Sequence, residues 1–174
     1  RWKAFDSGAG QKYLWQPSKP EGVTVYDPTG TLIDAVAEAD GVLWLASGEP
    51  DVWALGEAGM FNSTCTMKGE TAGIPESVVT TFKEMAVTTI HIAPDCDEAG
   101  RTFAEKTFTT FQGHDITLVA HQLPFTDESK GDIGTLLLQE GAENLRATLE
   151  SLPEMEVGAQ CANFHFRKGF KRRT

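Results

Sequence analysis

Val42-Leu43-Trp44-Leu45-Ala46 is a run of five apolar residues, bounded by Gly41 on one side and by Ser47-Gly48 on the other. It has the length of a strand and no alternation with polar residues. Such a strand has no wet face, so both its sides must be covered, as in a parallel sheet with helices on both faces. Residues 60–66, 87–93 and 116–120 supply three more segments that read as strands. Between them lie stretches of helical periodicity. Pro50, which fits a first helical turn where a missing N–H is harmless, opens a helix over 50–58 that stops at Gly59. Residues 75–85 place Val78, Val79 and Phe82 on one side, and 101–111 do the same with Phe103, Ala104, Phe108 and Phe111. Two short helices follow over 133–139 and 142–151. Strands alternating with helices predict right-handed βαβ units. The expected class is α/β, a mostly parallel four-stranded sheet covered by helices on both faces.

Carboxylates follow three of the predicted strands. Glu49 and Asp51 come after the first, Asp95 and Asp97 after the third, and Asp127, Glu128 and Asp132 after the fourth. Parallel strands bring their carboxyl ends to one edge, where ligands bind in open α/β sheets. In Ile90-His91-Ile92-Ala93-Pro94-Asp95-Cys96-Asp97-Glu98-Ala99-Gly100-Arg101 an apolar run delivers two aspartates and a glutamate to the start of a helix. Acids at a helix start serve as caps. Close carboxylates also attract a hard divalent ion, which takes one or two of them together with phosphate oxygens and water. Acids after three separate strands exceed what independent capping requires, so a metal and phosphate site is the expectation.

The chain's 174 residues predict one domain with a small extension. The expected layout is an N-terminal extension over 1–39, a core over 40–152 and an irregular basic tail over 153–174. That tail carries Arg167, Lys168, Lys171, Arg172 and Arg173, usually the mark of a solvated end and also a nucleic-acid contact. Within the extension, Trp2, Phe5, Tyr13 and Trp15 stand among Lys3, Lys12 and Lys19. That arrangement reads as a small hairpin on the domain edge, with a base-stacking surface as the alternative. Residues 23–26 read as a strand, Asp27-Pro28-Thr29-Gly30 as a turn, and 32–39 as a helix. The net charge of −10 argues against a protein that coats duplex DNA. Three scattered cysteines form no Cys-x-x-Cys pair, and their sparse, odd count fits a reducing, cytoplasmic compartment. No apolar segment reaches membrane-spanning length. Starting at Arg1 rather than Met, the chain reads as a piece of a longer protein. His91, in a strand, and His121, after one, read as packed or edge histidines, and Cys96 as a core residue facing away from its aspartate neighbours.

The order and wording of these pieces resemble the Toprim domain, shared by bacterial and phage primases, topoisomerases and some nucleases. The resemblance covers roughly 40–141. It rests on Leu43-Trp44-Leu45-Ala46-Ser47-Gly48-Glu49-Pro50-Asp51-Val52-Trp53-Ala54-Leu55, on Gly59, on Asp95-Cys96-Asp97-Glu98-Ala99-Gly100-Arg101, and on Gly113, Leu123-Pro124, Gly131-Asp132 and Leu136-Leu137. Gly-Glu-x-Asp-x-x-Ala-Leu and Asp-x-Asp-x-Ala-Gly are most similar to the phage and bacterial primase branch. The resemblance implies Mg²⁺ or Mn²⁺ held by Asp95 and Asp97, with Glu49, Asp51 and Asp132 as supporting acids and Glu49 as a candidate catalytic base. It implies nucleotidyl transfer on single-stranded DNA with nucleoside triphosphates, in a DNA replication protein whose zinc-binding or helicase parts lie elsewhere in the parent. Lys68 and Arg101 would meet phosphate charge, though isolated cations are more often plain surface residues. Gly48, Gly69 and Gly100 would permit close backbone approach.

One departure stands out. The family reads Glu-Gly-x-x-Asp where this chain has Ser47-Gly48-Glu49-Pro50-Asp51. A hydroxyl neither acts as a base at neutral pH nor neutralises a divalent cation. Glu49 is carboxylic but ~6 Å further along an extended chain. Glu49 substitutes, or the site binds metal with fewer charges, or the domain is no longer catalytic. A Toprim-type nuclease and a degenerate module that binds DNA or protein therefore stand beside the primase reading.

Overall fold

The computed structural model describes residues 25–66, 73–126, 131–155 and 157, together with the backbone of two short strands, β1 (Trp2–Lys3) and β2 (Tyr13–Leu14). These two pair antiparallel, with Trp2 opposite Leu14, so the expected N-terminal hairpin is present. Lys68, Gly69, Asp127, Glu128 and the basic tail beyond residue 157 lie outside the described residues.

The order then runs α1 (Leu32–Glu38), β3 (Val42–Ala46), α2 (Glu49–Glu57), β4 (Ser63–Cys65), α3 (Glu76–Glu84) and β5 (Thr89–Ile92). It continues with α4 (Glu98–Phe111), β6 (Thr117–Ala120), α5 (Ile133–Glu140) and α6 (Ala142–Ser151). The sheet order is β4-β3-β5-β6, with every neighbouring pair parallel. This is the α/β architecture expected from the apolar runs. The run Val42–Ala46 lies inside the sheet, between β4 and β5, which is why it carries no polar alternation.

Side chains alternate between two cores because successive residues of a strand face opposite ways. Leu43, Leu45, Ile90, Ile92 and Leu118 face one layer, built from Leu32 and Val36 of α1, Val79 and Phe82 of α3, and Phe103 and Phe111 of α4. Trp44, Ala46 and Cys65 face the other, built from Val52 and Leu55 of α2, Ile133 and Leu136 of α5, and Leu145 and Leu149 of α6. Helices thus cover both faces.

Several boundaries differ from expectation: β4 covers only Ser63–Cys65 of the expected 60–66, and β5 only Thr89–Ile92 of the expected 87–93. Of the strand expected over 23–26, residues 23 and 24 lie outside the described residues; Val25 forms an antiparallel bridge with Thr66, and the Tyr26 N–H donates to the Cys65 carbonyl. Asp27 follows and ends that pairing by turning its carboxylate back onto the N–H groups of Thr29, Gly30 and Leu32. The helix expected from Arg101 begins three residues earlier, at Glu98, because Asp97 caps it.

The topology also fixes where a crevice opens. From β3 the chain moves outward to β4, then returns to the other side of β3 to lay down β5 and β6. The helix after β3 packs on one face and the helix after β5 on the other. Adjacent strands followed by helices on opposite faces form a switch point, with the crevice at their carboxyl ends.

Candidate metal and phosphate site

The register places the ends of β3 and β5 level. Leu45 pairs with Ile92, so Ser47-Gly48-Glu49 and Ala93 to Asp97 leave adjacent strands side by side. Glu49 and Asp51 occupy the first turn of α2 and are buried, at 7% and 6% exposure. The partial positive charge of a helix N-terminus favours carboxylates there. Ser47 is buried just before them, and its hydroxyl has no hydrogen-bond partner among the described residues.

On the β5 side, Pro94 is buried and Asp95, Cys96 and Asp97 are half-buried. The Asp97 N–H donates to the Asp95 carbonyl at 2.8 Å, which closes a tight turn. Asp97 then caps α4, its Oδ1 accepting the Gly100 N–H at 2.9 Å. Gly100 is required by contact rather than by backbone angle. A Cβ there would collide with the Asp95 carbonyl oxygen and stand 2.7 Å from the Asp95 nitrogen. The first turn of α4 thus lies directly against the backbone of Asp95 and holds the loop in place. Arg101 follows on the exposed side.

The third acidic segment reaches the same place by a backbone link. The Gly131 carbonyl accepts the Cys96 N–H at 3.0 Å, which sets Asp132 beside the Asp95-Cys96-Asp97 turn. Gly131 is itself pressed against the Phe125 ring, where any side chain would collide. Asp132 caps α5, accepting both the N–H and the hydroxyl of Thr135 at 2.6 and 2.7 Å. Beside the Asp95–Asp97 turn lies a cavity of about 200 Å³ walled in part by Asp95, Cys96, Arg101, Gln122 and Phe125; Glu49, Asp51, Asp97 and Asp132 do not line it.

The structure therefore brings Glu49, Asp51, Asp95, Asp97, Asp132 and Arg101 to one edge of the sheet. Asp97 and Asp132 each use one carboxylate oxygen as a helix cap. Among the described residues, no three His, Cys, Asp or Glu side chains converge closely enough to enclose an ion by themselves. Hard carboxylate oxygens nevertheless suit Mg²⁺, which takes one or two carboxylates and completes its shell with water and substrate phosphate rather than with a protein cage. The donor set fits that kind of ion. Cys96 packs against the second core as expected, though not from a strand, because β5 ends at Ile92; its thiol lies 3.8 Å from the Leu123 carbonyl.

The histidines join in a way their spacing did not reveal. His91 pairs in register with Trp44 and with Val119, two residues before His121. The result is a stack. His91 and His121 lie 4.8 and 5.2 Å from the Trp44 ring, and their own ring nitrogens, Nδ1 of His91 and Nε2 of His121, are 2.7 Å apart. Burial, reinforced by the charge His121 would carry, pushes the His91 imidazole down to about 4. Burial also lowers His121, against the opposing pull of the Leu152 carbonyl, Glu154 and Glu150. Only the strand order β3-β5-β6 makes these rings neighbours.

No family model and no curated protein matches the chain. Solved structures do. The Aquifex aeolicus primase structure, comprising zinc-binding and RNA polymerase domains, superposes with a TM-score of 0.67 at 16% identity, over 88% of this chain and 36% of that one. A DnaG primase catalytic domain bound to single-stranded DNA gives 0.61 at 21% identity, over 85% and 45%. The RNA polymerase domain of Mycobacterium tuberculosis DnaG, in complex with double-stranded DNA, gives 0.65 at 18% identity, over 85% and 46%. The chain spans about a third to a half of the length of these structures. At such identities the likeness shows a shared fold, that of primase catalytic cores. Among the described residues, no helix is long and apolar enough to cross a membrane.

Proposed function

We propose that the chain is the Toprim-type portion of a primase-like replication protein, a metal-dependent nucleotidyl-transfer domain acting on single-stranded DNA and nucleoside triphosphates. The observation that supports this reading is the shared edge at the β3/β5 switch point: the acids on the first turn of α2 follow the strand next to the one that ends in the Asp95–Asp97 turn, with Asp132 tied in through Gly131. Asp95 and Asp97 are the proposed ligands of Mg²⁺ or Mn²⁺, with Glu49, Asp51 and Asp132 lending charge. Bound there, the ion would lower the pKa of a 3′ hydroxyl and stabilise charge on a triphosphate. The protein's part is orientation. Gly100 fixes the Asp95 backbone, the Asp97 cap fixes one carboxylate oxygen, and Arg101, exposed one turn into α4, offers a guanidinium to phosphate. Lys68 is proposed to do likewise. Zinc-binding or helicase domains of the same parent are the proposed partners.

A second reading, a module of this fold that binds DNA or partners without catalysis, is favoured by one observation: Ser47 is buried with an unpartnered hydroxyl where the resembling family carries a glutamate.

Calorimetric titration with Mn²⁺ tests the site. Asparagine keeps a capping oxygen but loses the charge, so Asp95→Asn/Asp97→Asn separates ion binding from folding. The expected outcome is clear Mn²⁺ binding by the wild type and its loss in the double variant. Equal binding by both would refute the assignment. Primer synthesis by the intact parent separates the two readings. Activity that falls at least tenfold in Glu49→Gln supports Glu49 as the base, whereas activity present only in Ser47→Glu supports the non-catalytic module.

A further inference from the structure

We propose that a groove on the far side of α2 docks a cationic segment of a separate polypeptide, one presenting arginine or lysine next to an apolar residue. The groove holds about 430 Å³ between the Asp27 turn, the later turns of α2 and the start of β4. It is separate from the candidate metal site, whose acids sit on the first turn of the same helix. Ile33, Trp53, Phe61 and Leu138 are the large apolar side chains exposed among the described residues, and two of them, Trp53 at 58% and Phe61 at 54%, line this groove.

The exposed indole is held rather than loose. Its Nε1–H donates to the Tyr26 hydroxyl at 2.9 Å, across 27 residues of sequence. A fixed aromatic face loses little freedom when a ligand stacks on it. Two exposed carboxylates, Asp27 and Glu57, stand at the same groove, and its lining contains no lysine or arginine. Asp27 remains ionised: partial burial pushes its carboxyl up, but the N–H groups of Leu32, Gly30 and Thr29 and the Thr29 hydroxyl outweigh this and hold it below the usual range.

An aromatic face flanked by carboxylates recognises cations. The ring quadrupole attracts the charge, the Glu57 carboxylate accepts its N–H groups, and Asp27, whose oxygens already accept from its own turn, adds negative charge. Arginine, which stacks and pairs bidentately, fits better than lysine. The same two acids repel a phosphate backbone, so the groove is not a nucleic-acid surface. Its volume admits several side chains of a peptide rather than one small ion.

The test uses the full chain and a fluorescein-labelled peptide, Ala-Arg-Leu-Arg-Phe-Ala, followed by anisotropy. The expected result is saturable binding that weakens roughly tenfold in Trp53→Ala and in Glu57→Lys, and weakens further as salt screens the acids. The peptide with glutamate in place of arginine should bind Glu57→Lys and not the wild type. Both substituted side chains are exposed, and unchanged thermal melting of the variants shows that the fold is kept. Absence of binding, or binding indifferent to both substitutions, overturns the proposal. So does binding that emerges only after Arg167, Lys168, Lys171, Arg172 and Arg173 are replaced by glutamine, since the chain's own basic segment would then be the occupant.

Discussion

Gly100 shows how much of a site one missing side chain can determine. Its backbone would accept any residue, since it is an ordinary helical position, but a Cβ would run into the Asp95 carbonyl. The obstacle is backbone, so it has no rotamer to move out of the way. Gly100→Ala is expected to cost about 3 kcal/mol, at the upper end of overpacking penalties, and to weaken Mn²⁺ binding by displacing Asp95. Gly56 is the control. It too is helical, and a Cβ added there would meet nothing within 4 Å, so Gly56→Ala should gain roughly 0.5–1 kcal/mol from helix propensity alone. Urea denaturation measures both, and a Gly100→Ala chain as stable as the wild type would show that the loop is not clamped. The sequence displayed Gly100 inside a motif but not the reason for it. The reason is a contact between α4 and its own preceding turn, which spacing alone does not encode. For Asp97 both the acid and a capping role were legible, whereas Asp132 was read only as a supporting acid. What was hidden is that each caps through a single oxygen, its Oδ1.

At the scale of elements, apolar runs and helical periodicity were enough to place β3, β5, β6 and six helices, because a parallel sheet buried on both faces leaves a clear pattern, whereas β4 is Ser63–Cys65 within a more polar stretch and its bounds were not legible. Strand order was not encoded that way, and everything depending on it was hidden. The Trp44–His91–His121 stack is the clearest case, since His91 and His121 become neighbours only once β5 and β6 pair in parallel. That pairing has a consequence for pH. Both imidazoles are held below the usual value of about 6.5, His91 at about 4. As pH falls through 6.5, the unfolded chain takes up protons that the folded pair refuses. The pair's contribution is therefore intact above pH 6.5 and is lost between about 6.5 and about 4. The urea midpoint should fall between pH 7.5 and pH 5, a range above most carboxylate titration. His91→Gln, which can still hydrogen-bond to His121, should remove part of that fall. An identical fall in variant and wild type would mean that the stack does not govern the acid response.

Across the whole molecule, the candidate site and the net charge act together. The chain carries −10 overall, and five of its acids sit on one edge of the sheet, two of them buried in the first turn of α2. Like charges held together in a folded chain oppose folding, because the unfolded chain lets them separate. A divalent ion seated among them, as proposed, would reverse that penalty, and it would bind the folded state alone because only folding assembles the ends of β3, β5 and the Asp132 cap. Stability should therefore rise with ion concentration, by about 2.7 kcal/mol at a hundredfold excess over Kd. In a chain of this size that is a rise of roughly 5–10 °C in melting temperature. General screening of a −10 chain also stabilises, so sodium chloride at matched ionic strength is the necessary reference. Asp95→Asn/Asp97→Asn retains capping oxygens and sheds two of the crowded charges. It should melt at or above the wild type without metal, yet gain from Mn²⁺ no more than from matched salt. If the double variant gains as much from Mn²⁺ as the wild type, the ion acts on the charge of the whole surface and not on this edge of the sheet.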